Sequence, residues 1–548
     1  MKSGIQYQTE VIIIGGGATG TGIMRDCALR GIDCILLEKD DLASGTTGRN
    51  HGLLHSGARY AVTDQHSARE CIQENRILKH IARHCVEDTS GLFITLPEDD
   101  RMFQDTFIHA CHSAGIEAEP LTPEEALLLE PNTNPQLTGA VRVPDGTLDP
   151  FRLCASNVLD AKEHGARLFS HTLVTSLIRN GDKVIGVNGI HSQTKQSLQI
   201  FAHEVINAAG IWGQRICEYA DLDIKMFPSK GSLLILDYRI NNLVLNRCRK
   251  PSDADILVPG DTISLIGTTS EEIDYDGIDD LHVTDKDVDL LLKEGVKLAP
   301  VMEHTRVLRA YAGVRPLVSL ESGHTGRSIS RGIVLLDHQE RDGLKGLTTI
   351  TGGKLMTYRL MAEQATDLIA KKLGHTTPCT THIRPLPGSD RLPKQSRKHI
   401  SMAKPVYESA IYRHGERAIS FLSEQPKNQT IICECEMVTA GEIEYAIKQL
   451  DVHNLIDLRR RTRLGMGPCQ GELCAYRAAG LFKEYGNLSG YESGQLLVDF
   501  MEERWTGIKP IFWGEALREA EFSYWIYEGL FGCSDIPLPG KKADQEQK

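Results

Sequence analysis

Two sets of residues in this chain have the types and spacing to do chemistry. Gly15, Gly17 and Gly20 form a GxGxxG turn directly after the apolar run VIII, and Glu38 closes a second apolar run, CILL. A turn of this kind lets the chain reverse tightly at its first glycine and approach a pyrophosphate at its second. At its third, helix and strand pack closely, with the helix N-terminus facing the phosphates. Glu38 would then accept hydrogen bonds from an adenosine ribose. Flavin and nicotinamide dinucleotides both satisfy this geometry. The second set is a cysteine quartet, with Cys433 and Cys435 as CxC and Cys469 and Cys474 as CxxxxC. Four thiolates could hold an iron–sulfur cluster or zinc, or could stand without metal.

These residues need elements to position them. EVIIIGGGATG, TGIMRDCALRG and IDCILLE read as strand, turn, helix and strand, the βαβ unit that the glycine turn requires. SARECIQENRILKHIARH (67–84) has helical spacing, with Cys71, Leu78 and Ile81 on one face. VINAAGIWG (205–213) reads as a strand returning to the same parallel sheet. KGSLLILD, ADILVPG and DTISLIGTTS predict an antiparallel sheet with a hairpin through Gly260 and Asp261. HVTDKDVDLLLKEGVKL opens with a Thr284–Asp287 capping pair and continues as a helix. GLTTITGGKLMTYRLMAEQATDLIAKKL (346–373) repeats strand, glycine pair and long helix, so it rejoins the first domain. PLPGSDRLPKQSRK (385–398) reads as a linker. Beyond it, Thr439 and Glu442 form a capping box before GEIEYAIKQL, and NLIDLRRRTR predicts a second helix, so two helices separate the paired thiols. The last segment holds three of the four tryptophans, which suits either a docking surface or a closing core.

A chain of 548 residues exceeds what one hydrophobic core supports, so three units are expected. A net charge of −12 argues against nucleic acid as a partner but permits an anionic substrate where cations gather locally. The 14 cysteines are mostly scattered singly, which favours free thiols and one metal site over a disulfide scaffold. No apolar run reaches the roughly 18 residues of a membrane span, and the first residues lack signal-peptide character. A cytosolic chain is expected.

Only one full GxGxxG occurs, which favours a single dinucleotide. The stretch DDLASGTTGRNHGLLHSGARY resembles FAD-dependent oxidoreductases of the D-amino-acid oxidase type, and within them the FAD-dependent glycerol-3-phosphate dehydrogenases. The motifs GGGATG, HSGARY, NAAGIW, KGS, SLIGTT, YAGVRPL and TGGKLMTYR recur in family order across residues 8–375. The resemblance implies a Rossmann-like α/β FAD-binding domain with an interleaved antiparallel-sheet substrate domain. It runs Ser44, Gly45, Thr46 and Thr47 along the flavin, with Arg49, Asn50 and His51 as polar contacts, and places Ala209, Gly210, Gly352 and Gly353 around the cofactor. Arg59 and Arg315 occupy the family's phosphate-holding positions, with Tyr60 beside them; a planar bidentate donor suits a phosphate dianion. Lys354 would reach substrate, and His55 would take the C2 hydroxyl proton as hydride leaves for flavin N5. Single-subunit aerobic relatives have histidine directly after KGS, where this chain has Leu233, so that contact does not carry over. The cysteine unit resembles the bacterioferritin-associated-ferredoxin-like domain, which implies a [2Fe-2S] cluster, although CxxxxC is longer than that domain's usual CxxC.

The expected organisation is an FAD-binding domain at 8–84, 145–225 and 325–375, and a substrate domain at 85–144 and 226–324. A connecting segment at 376–428, a ferredoxin-like domain at 429–485 and an aromatic-rich helical tail at 486–548 follow. The implied activity is oxidation of sn-glycerol 3-phosphate to dihydroxyacetone phosphate. Electrons would leave through iron–sulfur centres and membrane-anchoring partner subunits to quinone, at the cytoplasmic face of a bacterial inner membrane. Any FMN would belong to a partner subunit. A flavin enzyme acting on another small amine or hydroxy acid, or a non-catalytic electron-transfer flavoprotein, are the alternatives.

Overall fold

The computed structural model describes residues 5–318, 332–389 and 400–533. Parts of the expected linker, of the segments around residue 325 and of the final tail therefore lie outside the described residues. A six-stranded sheet runs Arg167–Phe169, Cys34–Leu37, Val11–Ile14, Glu204–Asn207, Leu347–Gly352 and Ile333–Asp337. The first five are mutually parallel and Ile333–Asp337 is an antiparallel edge. Val11–Ile14 is buried on both faces, which is why it reads as an unbroken apolar run. Val11 and Ile13 face a core shared with the helices Ala18–Leu29, Pro150–Glu163 and Tyr358–Leu373. Ile12 and Ile14 face a second core, beneath the sheet that contains Thr172–Asn180 and Lys183–His191.

The predicted return of VINAAGIWG to the parallel sheet is met, with Glu204–Asn207 in register against Val11–Ile14. The hairpin through Gly260 and Asp261 also forms, joining Ile256–Gly260 to Ile263–Gly267, with Asp261 at φ 42°. These strands belong to a nine-stranded sheet built from the stretches 91–143 and 226–318. It is antiparallel except where Val244–Arg247 runs parallel to Gly91–Thr95. The helix Asp285–Leu298 covers it and begins with the full Thr284–Asp287 capping box.

The cysteine unit is helical, with Ala440–Gln449 and Leu455–Thr462 between the thiol pairs. One expectation fails here. Thr439 Oγ1 accepts from the Glu442 N–H at 3.3 Å, but the Glu442 side chain does not return to the cap. It is drawn instead to Arg413 and His414, because a buried carboxylate is better satisfied by a guanidinium and an imidazole donor than by one backbone amide. Part of the aromatic-rich segment closes a core, as one of the two expected readings has it. Phe500 and Tyr527 join the core of the cysteine unit and Ile508 and Ile511 join that of the large sheet, while Trp513, Phe522 and Trp525 stay exposed. No helix among the described residues is long and apolar enough to cross a membrane.

Candidate active site and cysteine centre

A cavity of about 1250 Å³ opens at the C-terminal edge of the parallel sheet, where ligands of open α/β folds bind. It exceeds the range of roughly 300–1,000 Å³ for single small ligands, as a dinucleotide plus a substrate requires. Gly15 turns at φ 113°, and a Cβ there would stand 2.5 Å from the Ala208 carbonyl oxygen. Gly17 caps the helix Ala18–Leu29 and, lacking a side chain, makes no cap bond of its own; Gly17, Ala18 and Thr19 line the cavity. Gly20 does not line the cavity. A Cβ there would lie 1.8 Å from the Gly15 carbonyl oxygen, so its glycine is needed for helix–turn packing. Glu38 accepts from the Gly16 N–H at 2.6 Å and from the Asp40 N–H at 2.9 Å. Burial raises its pKa against the pull of those amides.

The segment after Glu38 wraps the cavity. Ser44, Gly45, Thr46, Thr47 and Arg49 all line it, as do Asn50 and His51. Thr47 Oγ1 accepts from the Ala18 N–H at 3.0 Å, tying the loop to the helix N-terminus, and Thr46 Oγ1 donates to the Val314 carbonyl at 2.6 Å. Burial lowers the Arg49 pKa, with the Arg460 charge adding to it. Ala209 and Gly210 line the same cavity, as do Gly352 and Gly353, whose φ values of 76° and 67° suit glycine. Lys354 caps a short 3-10 turn, Leu355–Thr357, before the helix Tyr358–Leu373, so the helix begins one turn later than TGGKLMTYR implies.

The five reaction candidates, His55, Arg59, Tyr60, Arg315 and Lys354, all line the cavity. Lys354 Nζ stands 4.9 Å over the Tyr60 ring, and the rings of His55 and Tyr60 are 5.6 Å apart. Arg59 donates to the Ser252 carbonyl at 3.0 Å and to Asp255 at 3.3 Å. Arg315 donates to Ser229 Oγ at 3.1 Å and to the Thr269 carbonyl at 2.9 Å, and also to Thr268 Oγ1. It lies across Gly231, where a Cβ would stand 2.7 Å from Nη2; that is why glycine follows the lysine of KGS. Lys230 itself is buried against Glu271 at 2.6 Å and Asp287 at 3.2 Å, holding the sheet to its covering helix. Leu233 is fully buried against Gly267 and does not line the cavity. Thr268, Ser270 and Trp212 also line it and were not singled out; their positions inside SLIGTTS and NAAGIW were the available signal.

The quartet assembles as expected from two intervening helices. Cys469 interacts with Cys435 and Cys474, and Cys474 with Cys433. Hydrogen bonds from Cys435 and Cys474 hold the Cys469 thiol far below the ordinary range. Among the described residues, no three of these sulfurs gather within 4.8 Å of one another. A tetrahedral zinc site with Zn–S of about 2.3 Å would bring all four to ~3.8 Å mutual separation. Another group of ligand-type atoms, Glu363, Cys379 and His382, lies elsewhere, and its carboxylate is already paired with Arg359 at 2.7 Å.

The unit is docked onto the flavin domain and the nine-stranded sheet by buried charge. Asp41, beside the dinucleotide turn, pairs with Arg460 at 3.0 Å and with Arg461, and Arg463 pairs with Asp261 at 2.6 Å and Glu436 at 2.9 Å. On the opposite side Glu503 accepts from Arg459 at 3.0 Å and from Arg309, which lies on the same strand as Arg315.

Sheet, cavity and glycine turn define a dinucleotide-binding α/β protein. The FAD dependent oxidoreductase family model matches residues 10–359, and the BFD-like [2Fe-2S] binding domain model matches residues 431–484. Among the anaerobic glycerol-3-phosphate dehydrogenase A subunits, that of Escherichia coli K12 is 63% identical to this chain over 533 residues, covering 97% of this chain and 98% of that one. Its counterpart in Haemophilus influenzae is 61% identical over 538 residues, 98% and 96% of the two chains. Among solved structures, glycerol-3-phosphate dehydrogenase from Bacillus halodurans complexed with FAD superposes with a TM-score of 0.69 at 23% identity, covering 92% of this chain and 96% of that one. The chain belongs to the family of anaerobic glycerol-3-phosphate dehydrogenase A subunits, FAD-dependent oxidoreductases that carry a [2Fe-2S]-binding domain.

Proposed function

We propose that this chain oxidises sn-glycerol 3-phosphate to dihydroxyacetone phosphate and passes the electrons through its cysteine centre and partner subunits to membrane quinone. The observation that carries this reading is that Arg59, Arg315 and Lys354 line the same cavity as Gly15 and Glu38. Three cations in the cavity wall suit a substrate with a phosphate dianion. An amine substrate would meet repulsion there.

FAD supplies the hydride acceptor. Arg59 and Arg315 would hold the phosphate through planar donors kept in place by Asp255 and by Thr268 and Thr269. Lys354 is held over Tyr60 by cation–π attraction, so its ammonium is directed at the substrate end. His55, next to that ring, is the group best placed to take the C2 hydroxyl proton. The exposed Trp513, Phe522 and Trp525 give the chain an apolar surface for a partner subunit at the inner membrane. Anaerobic mixing of the flavin-loaded chain with glycerol 3-phosphate tests the reading directly. Bleaching of the oxidised flavin band is expected, and a band that persists at saturating substrate would refute the assignment.

A further inference from the structure

The helix Gly490–Ile508 begins after the residues matched by the [2Fe-2S] model, which end at 484, yet it delivers a cation to the cysteine unit. Arg504 on this helix has a side chain only 4% exposed. Its Nε and Nη1 hydrogens have no hydrogen-bond partner among the described residues. The adjacent Glu503 cannot serve it, being shared by Arg309 and Arg459. Its carboxylate partner among the described residues is Glu472, 3.6 Å from Nη2 and too far for a good hydrogen bond.

Glu472 places Arg504 at the quartet. It sits inside the Cys469–Cys474 loop, where its N–H donates to the Cys469 carbonyl at 3.1 Å. Tyr527 Oη donates to the Glu472 carbonyl at 2.5 Å and pins the same loop from the C-terminal side. Burial pulls the Arg504 pKa down, opposed by Glu472, Tyr527 and Cys469. A buried guanidinium with two idle donors is stable only against an anion that completes it. Four thiolates around two irons carry a net negative charge that grows by one on reduction, and the potential of such a centre follows nearby charge and hydrogen bonds to sulfur.

We infer that Arg504 is the counter-charge of the [2Fe-2S] centre, holding the centre's reduction potential high enough to accept electrons from the flavin side. This rests on occupancy of the quartet and not on the identity of the organic substrate. Arg504 is a positioning and tuning residue, supplied by the C-terminal helix and absent from the matched ferredoxin-like region.

The test is an EPR-monitored redox titration of the full chain, purified anaerobically, with no substrate present. Arg504→Gln should disfavour cluster reduction at least threefold and on the order of tenfold, which is 59 mV for a one-electron couple. Arg504→Lys, which keeps the charge, should recover at least half of that shift. A shift below threefold in a Gln variant with full iron and sulfide overturns the inference, as does a Lys variant no better than Gln. If the Gln variant takes up no cluster, pulsed EPR of the wild type grown on guanidinium-15N arginine decides. A nitrogen coupling lost in Arg504→Lys supports the assignment, and no such coupling in the wild type overturns it.

Discussion

At the scale of single residues, Arg315 shows how a strand is shaped around a charge. Its guanidinium spans the strand Met226–Leu236 at Gly231 and is steered by Ser229, Thr268 and Thr269. Arg315→Ala should raise KM for glycerol 3-phosphate by about 10- to 100-fold, since a charge-assisted hydrogen bond contributes about 1.5–3 kcal/mol. Gly231→Ala makes the sharper test. The new Cβ would stand 2.7 Å from Nη2 and push the guanidinium aside without removing it, so KM should rise while flavin content stays at the wild-type level. Steady-state kinetics with flavin quantitation checks both; an unchanged KM in Gly231→Ala would show that the phosphate is held elsewhere. The glycine turn and HSGARY were legible in the sequence because their chemistry is local. That Lys230 of the same KGS motif is taken up by Glu271 and Asp287 was not, because those partners lie far along the chain, Asp287 by 57 residues, and follow no periodicity.

At the scale of elements, strands buried on both faces and full capping boxes read correctly, because burial and end chemistry write themselves into short windows. Val11–Ile14 and the Thr284–Asp287 cap are examples. The Thr439–Glu442 pair failed because tertiary partners prevailed over the local bond. Glu442 is fully buried, which alone would raise its pKa, but Arg413 and then His414 outweigh that and bring it from 4.5 to about 2. A depressed carboxylate stabilises the fold above its unfolded value of 4.5, and the contribution is lost as pH falls through about 2. Glu442→Gln leaves the buried Arg413 short of an anion and should destabilise the cysteine unit by about 3–5 kcal/mol at neutral pH. Thermal unfolding should show the wild-type advantage narrowing as pH falls from 4.5 toward 2, the variant being flatter across that window. A gap independent of acid would mean the clamp acts through packing alone.

At the scale of the whole molecule, the question is how the flavin cavity and the cysteine centre are kept in one arrangement. Asp41 follows Glu38 by three residues and is 1% exposed, and its carboxylate is taken by Arg460 and Arg461 from the helix Leu455–Thr462. Burial would raise its pKa, but the two arginines prevail and hold it below the usual carboxylate value. The dinucleotide turn is thus fastened to the thiol-bearing unit by one carboxylate, an association invisible in a single sequence because its ends lie about 420 residues apart. Asp41→Asn should cost about 3–5 kcal/mol by leaving Arg461 buried and unpaired. The flavin cavity is bounded by other residues, so reduction of the flavin by substrate should survive. Arrival of electrons at the [2Fe-2S] centre should slow, because transfer depends on the two sites staying docked. Rapid-freeze EPR after mixing with glycerol 3-phosphate separates the two steps, and equal slowing of both would place Asp41 in the cofactor site instead of the junction.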